Sequence, residues 1–223
     1  MGRYDRNIGT ITLSEQELLA DKSVCIIGCG GLGGGIIEGL VRLGIGKITI
    51  VDGDVFDDTN LNRQVLSNTA NIGKSKAQEG ARQMAEINPE VKITPVFGFY
   101  NEQNGRDVIK GHDIVIDALD NVTARLVLEE HCELENIPLV HGAISSWYGQ
   151  VAVVMPGDRL LHQIYVDETS DKTSNPSFTP AVVSALQVAE TVKLLLGREE
   201  VLAGKLLTID LLNHEYEIID FGE

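Results

Sequence analysis

Cysteine is scarce: three thiols in 223 residues, Cys25, Cys29 and Cys132, in no paired spacing. That usage excludes a disulfide framework and a cysteine zinc site, and it fits a reducing compartment. Positive charge is also short, with 18 basic against 33 acidic residues and a net charge of −15. Such a chain repels phosphate backbones and anionic lipid at long range, so neither nucleic acid nor a membrane surface is expected as a partner. The start, "MGRYDRNIGTITLSEQ", is polar, and no apolar run approaches the about 18 residues of a membrane span, so a cytosolic protein is expected. No block of like charge or internal repeat breaks the chain, and its length suits one α/β domain over 1–223.

Short apolar runs alternate with helical patterns over the first two-thirds, the rhythm of parallel βαβ units. Strands are predicted at about 23–28, 47–52, 91–97, 114–118 and in "PLVHGAI", with helices at about 32–44, 75–87, 101–110 and 122–136. A first helix is announced by Ser14 with Glu17, read as a capping box. After Gly142 the pattern turns strand-like without an intervening helix, and "SWYGQVAVVMPG" is expected to run antiparallel. A long polar crossover loop at about 158–180 follows, then a helix at about 180–196 stopped by Gly197, and two closing strands joined near Asn213 and His214. The fold class predicted is therefore α/β: a Rossmann-like, mostly parallel sheet flanked by helices, with antiparallel strands at the C-terminal end.

Gly28, Gly30 and Gly33 form G-x-G-x-x-G between a strand and a helix, where the backbone can approach a phosphate lying on the helix N-terminus. Asp52, at the end of the second strand, is placed to accept from ribose hydroxyls. NAD and ATP both carry adenosine and phosphates, so this loop alone does not choose between them. Residues downstream do. "DGDVFDDTNLNRQ" brings Asn60, Arg63 and Gln64, and "NIGKSKAQ" brings Lys76, polar and cationic groups that displacement at a phosphate uses and hydride transfer does not. "DIVIDALDN" sets Asp120 just after a strand, where a carboxylate can hold Mg²⁺ shared with substrate phosphates.

At this point the sequence resembles the ThiF/MoeB/HesA family, through "RYDRNI", "GCGGLG", "VDGD", "NLNRQ", "GKSKA", "DALDN", "LVHGAI", "GQVAVVMPG" and "SALQVAETVKLLLG". The resemblance implies an adenylyltransferase that activates the C-terminal carboxylate of a small ubiquitin-like (ThiS/MoaD-like) sulfur carrier ending in Gly-Gly, using ATP and Mg²⁺. It implies Asp52 on the ribose, Asn60, Arg63 and Lys76 on the phosphates, Gln64 supporting Arg63, and Asp120 on Mg²⁺. It also implies a homodimer in which Arg6, in "RYDR", reaches the neighbouring subunit's ATP site. The catalytic set so expected is Arg63, Lys76, Asp120 and Arg6, with Arg63 and Lys76 in a solvated cleft.

The chain departs from the family in two places. Many relatives carry two C-x-x-C pairs for zinc; here the corresponding stretches read "PGDRLLHQIYV" and "IDFGE", so no zinc is expected. The crossover stretch also lacks the cysteine with which some relatives capture their substrate, so adenylation without covalent capture is expected. An NAD-dependent oxidoreductase and a non-catalytic nucleotide-binding relative are the competing readings.

Overall fold

The computed structural model describes residues 2–166 and 174–222. One eight-stranded sheet organises the chain: β1 (Ser23–Ile27), β2 (Lys47–Asp52), β3 (Lys92–Phe97), β4 (Ile114–Asp117), β5 (Leu139–Ser145), β6 (Tyr148–Val154), β7 (Lys205–Asp210) and β8 (Glu215–Asp220), in spatial order β3-β2-β1-β4-β5-β6-β7-β8. The first five strands pair in parallel and the last three antiparallel, as the sequence rhythm predicts. Every residue of β4 is buried, which is why it reads as a continuous apolar run. Pro95 is confined to the edge strand β3, where a missing ladder donor costs least.

Helices α1 (Leu13–Asp21), α2 (Gly31–Leu43), α3 (Lys76–Ile87), α4 (Gly105–Ile109), α5 (Val122–Glu135), α6 (Leu160–Ile164) and α7 (Phe178–Leu195) cover the sheet. Leu32, Ile36, Ile37 and Leu40 of α2, Met84 of α3 and Val183 of α7 build one core, while Ile109, Leu128, Cys132, Leu160 and Leu161 build the core on the opposite face. By length and composition α7 could cross a bilayer, yet it lies against α2 and β5 and buries Gln187, Glu190 and Thr191.

Three local expectations are corrected. The first helix is capped by Thr12 with Glu15, not by Ser14 with Glu17; Thr12 Oγ1 accepts from the Glu15 amide at 3.2 Å and the Glu15 carboxylate accepts from the Thr12 amide at 2.8 Å. That start turns Gln16 and Leu19 inward. Helix α4 begins only at Gly105, because Asn101 Oδ1 accepts from the amides of Gln103 and Asn104 and folds 101–104 into a turn. The predicted crossover loop at 158–180 contains α6, and α7 already starts at Phe178; within that stretch, 167–173 lie outside the described residues.

Helix α6 is too short to hold itself, and Glu129 of α5 caps it: its carboxylate accepts from the Leu161 amide at 2.6 Å and the His162 amide at 3.2 Å, and meets His162 Nδ1 at 2.5 Å. The clamped helix lies within the stretch "PGDRLLHQIYV".

Candidate nucleotide-binding site

The strand order reverses between β1 and β4, and the crevice at their C-terminal ends is where open α/β sheets take their ligands. The glycine loop lies in that crevice. Gly28 has φ of +103°, and a Cβ there would lie 2.5 Å from the Ala118 carbonyl oxygen just past β4. A Cβ at Gly33 would lie 1.9 Å from the Gly28 carbonyl oxygen, so the third glycine lets α2 pack directly on the turn. Gly30 is the N-cap of α2 and supplies no side-chain acceptor, which leaves the helix N-terminus for an anion.

Groups from three further elements converge there. Asp52, at the end of β2, accepts from the Cys29 amide at 2.7 Å and from the Asp54 amide at 2.8 Å. Burial raises its pKa above the usual carboxylate value, opposed by those two amides and by the charge of Lys76. The Arg63 stem passes beside Gly31, whose Cβ would lie 3.7 Å from Arg63 Cγ; its guanidinium donates to the Thr59 carbonyl and Asn62 Oδ1, both at 2.9 Å. Gln64 is buried beside Gly30, and its Oε1 has no hydrogen-bond partner among the described residues. An orphaned buried acceptor next to a bare helix N-terminus suits a ligand that brings its own donors or ordered water.

Lys76 opens α3, and its Nζ pairs with Asp54 Oδ2 at 3.0 Å. The expectation of a solvated cleft is corrected here: the Lys76 side chain is 9% exposed, whereas Asp54 is 56% exposed. Asp54, which the sequence reads as a residue shaping the turn after β2, is the anionic partner of Lys76. Asn60 is buried with its side chain turned to Asp57, from whose amide its Oδ1 accepts at 3.2 Å, capping a 3-10 turn over Asp58–Asn60. Asp120 is exposed in the turn after β4.

Arg6 is not brought to this group. Its neighbours are tied to the far end of α2: a Cβ at Gly44 would meet the Tyr4 ring, and Asn7 bonds to Gln16, which donates to the Leu43 carbonyl at 2.8 Å. A 13-residue helix separates that end from the glycine loop, a span of about 20 Å.

None of the three thiols is a ready nucleophile. Cys25, Cys29 and Cys132 are all buried, and burial pushes each up, Cys25 to about 12.

A buried polar network built around Asp117 underlies the Asp120 turn. His141, fully buried on β5, donates Nδ1–H to Asp117 Oδ2 at 2.6 Å. Gln187, reaching from α7 over Gly142, donates to the Asp117 carbonyl at 2.8 Å. Desolvation lowers the pKa of His141, and of His131, which meets the Tyr100 hydroxyl through Nδ1. Their folded pKa values lie below the unfolded one, so as pH falls through about 6.5 the unfolded chain takes up protons that the folded chain refuses. Stability should therefore drop between pH 7.5 and 5.5, by at most about 1.4 kcal/mol per pH unit for each histidine. Urea denaturation at the two pH values checks this, and an unchanged midpoint would refute it.

A model of the ThiF family matches residues 4–223. The chain belongs to the ThiF family. It is 33% identical over 230 residues to the SAMP-activating enzyme E1 of Haloferax volcanii, covering 99% of this chain and 85% of that one. It is 31% identical over 225 residues to the molybdopterin-synthase adenylyltransferase of Escherichia coli, covering 97% and 90%. A sulfur carrier protein adenylyltransferase of Thermus thermophilus is 33% identical over 214 residues, covering 90% and 79%. Among solved structures, E. coli MccB with ATP superposes with a TM-score of 0.88 at 22% identity, over 100% of this chain and 71% of that one, and so shares the fold. As a ThiF-family protein aligned almost end to end with adenylyltransferases, the chain is an enzyme of that class.

Proposed function

We propose that this chain binds ATP at the β1/β4 crevice and adenylates the C-terminal carboxylate of a small ubiquitin-like carrier protein. The observation that carries this reading is a helix N-terminus with no side-chain cap, beside which the Arg63 stem passes and where the charge of Lys76 acts on Cys29 and Asp52. Phosphate charge calls for such groups, and hydride transfer does not.

A carboxylate oxygen of the carrier attacks the α-phosphorus of ATP; the new bond is carbonyl–O–P, and the bond to the βγ-pyrophosphate breaks. The carboxylate is ionised at neutral pH, so no protein base or nucleophile is required. This chain's part is positioning and charge neutralisation. Asp52 receives the ribose hydroxyls, the α2 N-terminus receives phosphate with the Gln64 amide nitrogen beside it, and Arg63 and Lys76 offset its charge. Asn60 holds the turn that carries Arg63 through its bonds to Asp57. Asp120 would hold Mg²⁺, which supplies further neutralisation of phosphate charge when bound. Asp120 stands exposed after β4 as a single carboxylate, which fits an ion that takes the rest of its coordination from phosphate and water.

The carrier tail has a path. An open groove of about 490 Å³ runs beside Asn62, lined also by Ser146, Ser174 and Pro176 and by Trp147 and Phe178, whose rings lie 4.5 Å apart. Incubation with MgATP and a carrier ending in Gly-Gly should give a carrier bearing AMP at its C-terminus by intact mass; the same mass shift on a carrier lacking its last glycine would count against the reading.

The site is further proposed to be completed in a homodimer, with Arg6 serving the second subunit. The distance of Arg6 from its own crevice supports this. Arg6→Ala and Lys76→Ala should each be inactive alone, while an equal, reassorted mixture should recover about a quarter of wild-type turnover, because half the dimers would hold one intact site. A mixture as inactive as its components would refute the shared site.

A further inference from the structure

We propose that Tyr165 and Arg125 act as a latch that holds the Leu119–Asp120 turn in place, so that docking of the α6 end sets the position of the Asp120 carboxylate. The inference rests on the metal role given to Asp120 above.

Tyr165 is the C-cap residue of α6. Its hydroxyl accepts from Arg125 at 3.1 Å and from Gln150 at 2.7 Å, which leaves its own hydrogen for His141 Nε2 at 3.2 Å. His141 is able to accept there because its Nδ1–H goes to Asp117. Burial pushes the Tyr165 hydroxyl up to about 12, so it stays a donor at neutral pH. The Arg125 guanidinium also lies over the Tyr165 ring, 5.5 Å from its centroid.

The same guanidinium reaches the turn. Arg125 donates to the Leu119 carbonyl at 2.5 Å, and its Nε lies 3.4 Å from Asp117 Oδ2, an ion-pair contact. On the other side, the Leu119 amide donates to Asp117 Oδ1 at 2.8 Å. The Leu119 peptide is thus gripped at both ends by side chains that are themselves at least nine-tenths buried, and the next residue is Asp120. Arg125 has no second arrangement that satisfies both carbonyl and hydroxyl, because the fork of a guanidinium is rigid. Loss of the Tyr165 hydroxyl frees one arm of that fork and leaves His141 Nε2 with Gln150 alone.

The test uses the full chain and two variants, Tyr165→Phe, which removes one oxygen, and Arg125→Lys, which keeps the charge and loses the fork. Amide hydrogen exchange is followed without nucleotide, and the affinity for AMPCPP is measured with Mg²⁺ and with EDTA. Both variants should exchange about tenfold faster across 118–122 with β1 and α7 unchanged, and should lose about five- to tenfold of the Mg²⁺-dependent gain in AMPCPP affinity. Affinity in EDTA should stay within about twofold, and the loss should vanish in an Asp120→Asn background. Wild-type exchange across 118–122 in both variants would overturn the latch. Faster exchange spread evenly over the chain would overturn it too, since that marks a merely structural role. A wild-type chain with no Mg²⁺-dependent gain would overturn the metal role of Asp120 instead, and exchange would still decide whether the turn is latched.

Discussion

Gly33→Ala is expected to lose at least about 3 kcal/mol of stability and to abolish nucleotide binding. The added methyl would lie 1.9 Å from the Gly28 carbonyl oxygen and 2.7 Å from its carbon, and neither backbone atom can swing aside as a side chain would. Helix α2 would have to lift from the end of β1, taking with it the N-terminus that receives phosphate and the core residues Leu32, Ile36 and Ile37. Gly31→Ala is the internal control: its methyl would meet Pro180 Cβ at 3.5 Å, an ordinary contact. Alanine also favours a helix over glycine by about 1 kcal/mol, so this variant should match or exceed wild type in stability. Urea denaturation of the two variants checks the contrast, and equal midpoints would mean that the close approach of α2 and the turn is not a constraint.

Lys76→Ala is expected to lower the rate of adenylate formation by about 10²- to 10³-fold, the usual cost of removing one preorganised group that faces developing charge. Its effect on stability should be small, under about 1 kcal/mol, because the partner Asp54 is largely exposed and water takes over its solvation. The near-complete burial of the lysine sharpens the prediction, since little solvent screens its charge from the phosphates. Single-turnover kinetics with a carrier substrate separate the rate from nucleotide affinity, and an unchanged rate would remove Lys76 from the mechanism.

The architecture was legible where burial is complete on both faces. The strand "IVID" of β4 and "VCII" of β1 are apolar runs because they are central strands, and the glycine spacing located the turn after β1. Helix α6 was not legible: it is five residues long, and its cap, Glu129, lies 32 residues before Leu161 in the chain. The burial of Lys76 was likewise hidden, since its ion-pair partner comes from the loop after β2. The grip on the Asp120 turn had the weakest local signal of all. Asp117 reads as one residue of the strand at 114–118, Gln187 as a polar residue of the helix at 180–196, and only the sheet brings them together.

The most direct test of the central claim is ATP–pyrophosphate exchange with Mg²⁺, run on a panel of small ubiquitin-like carriers with and without their terminal Gly-Gly, with ATP and NAD binding measured on the same samples. The account predicts exchange that appears with at least one intact carrier and disappears when its tail is removed. Binding of NAD without binding of ATP, and no exchange with any carrier, would contradict it.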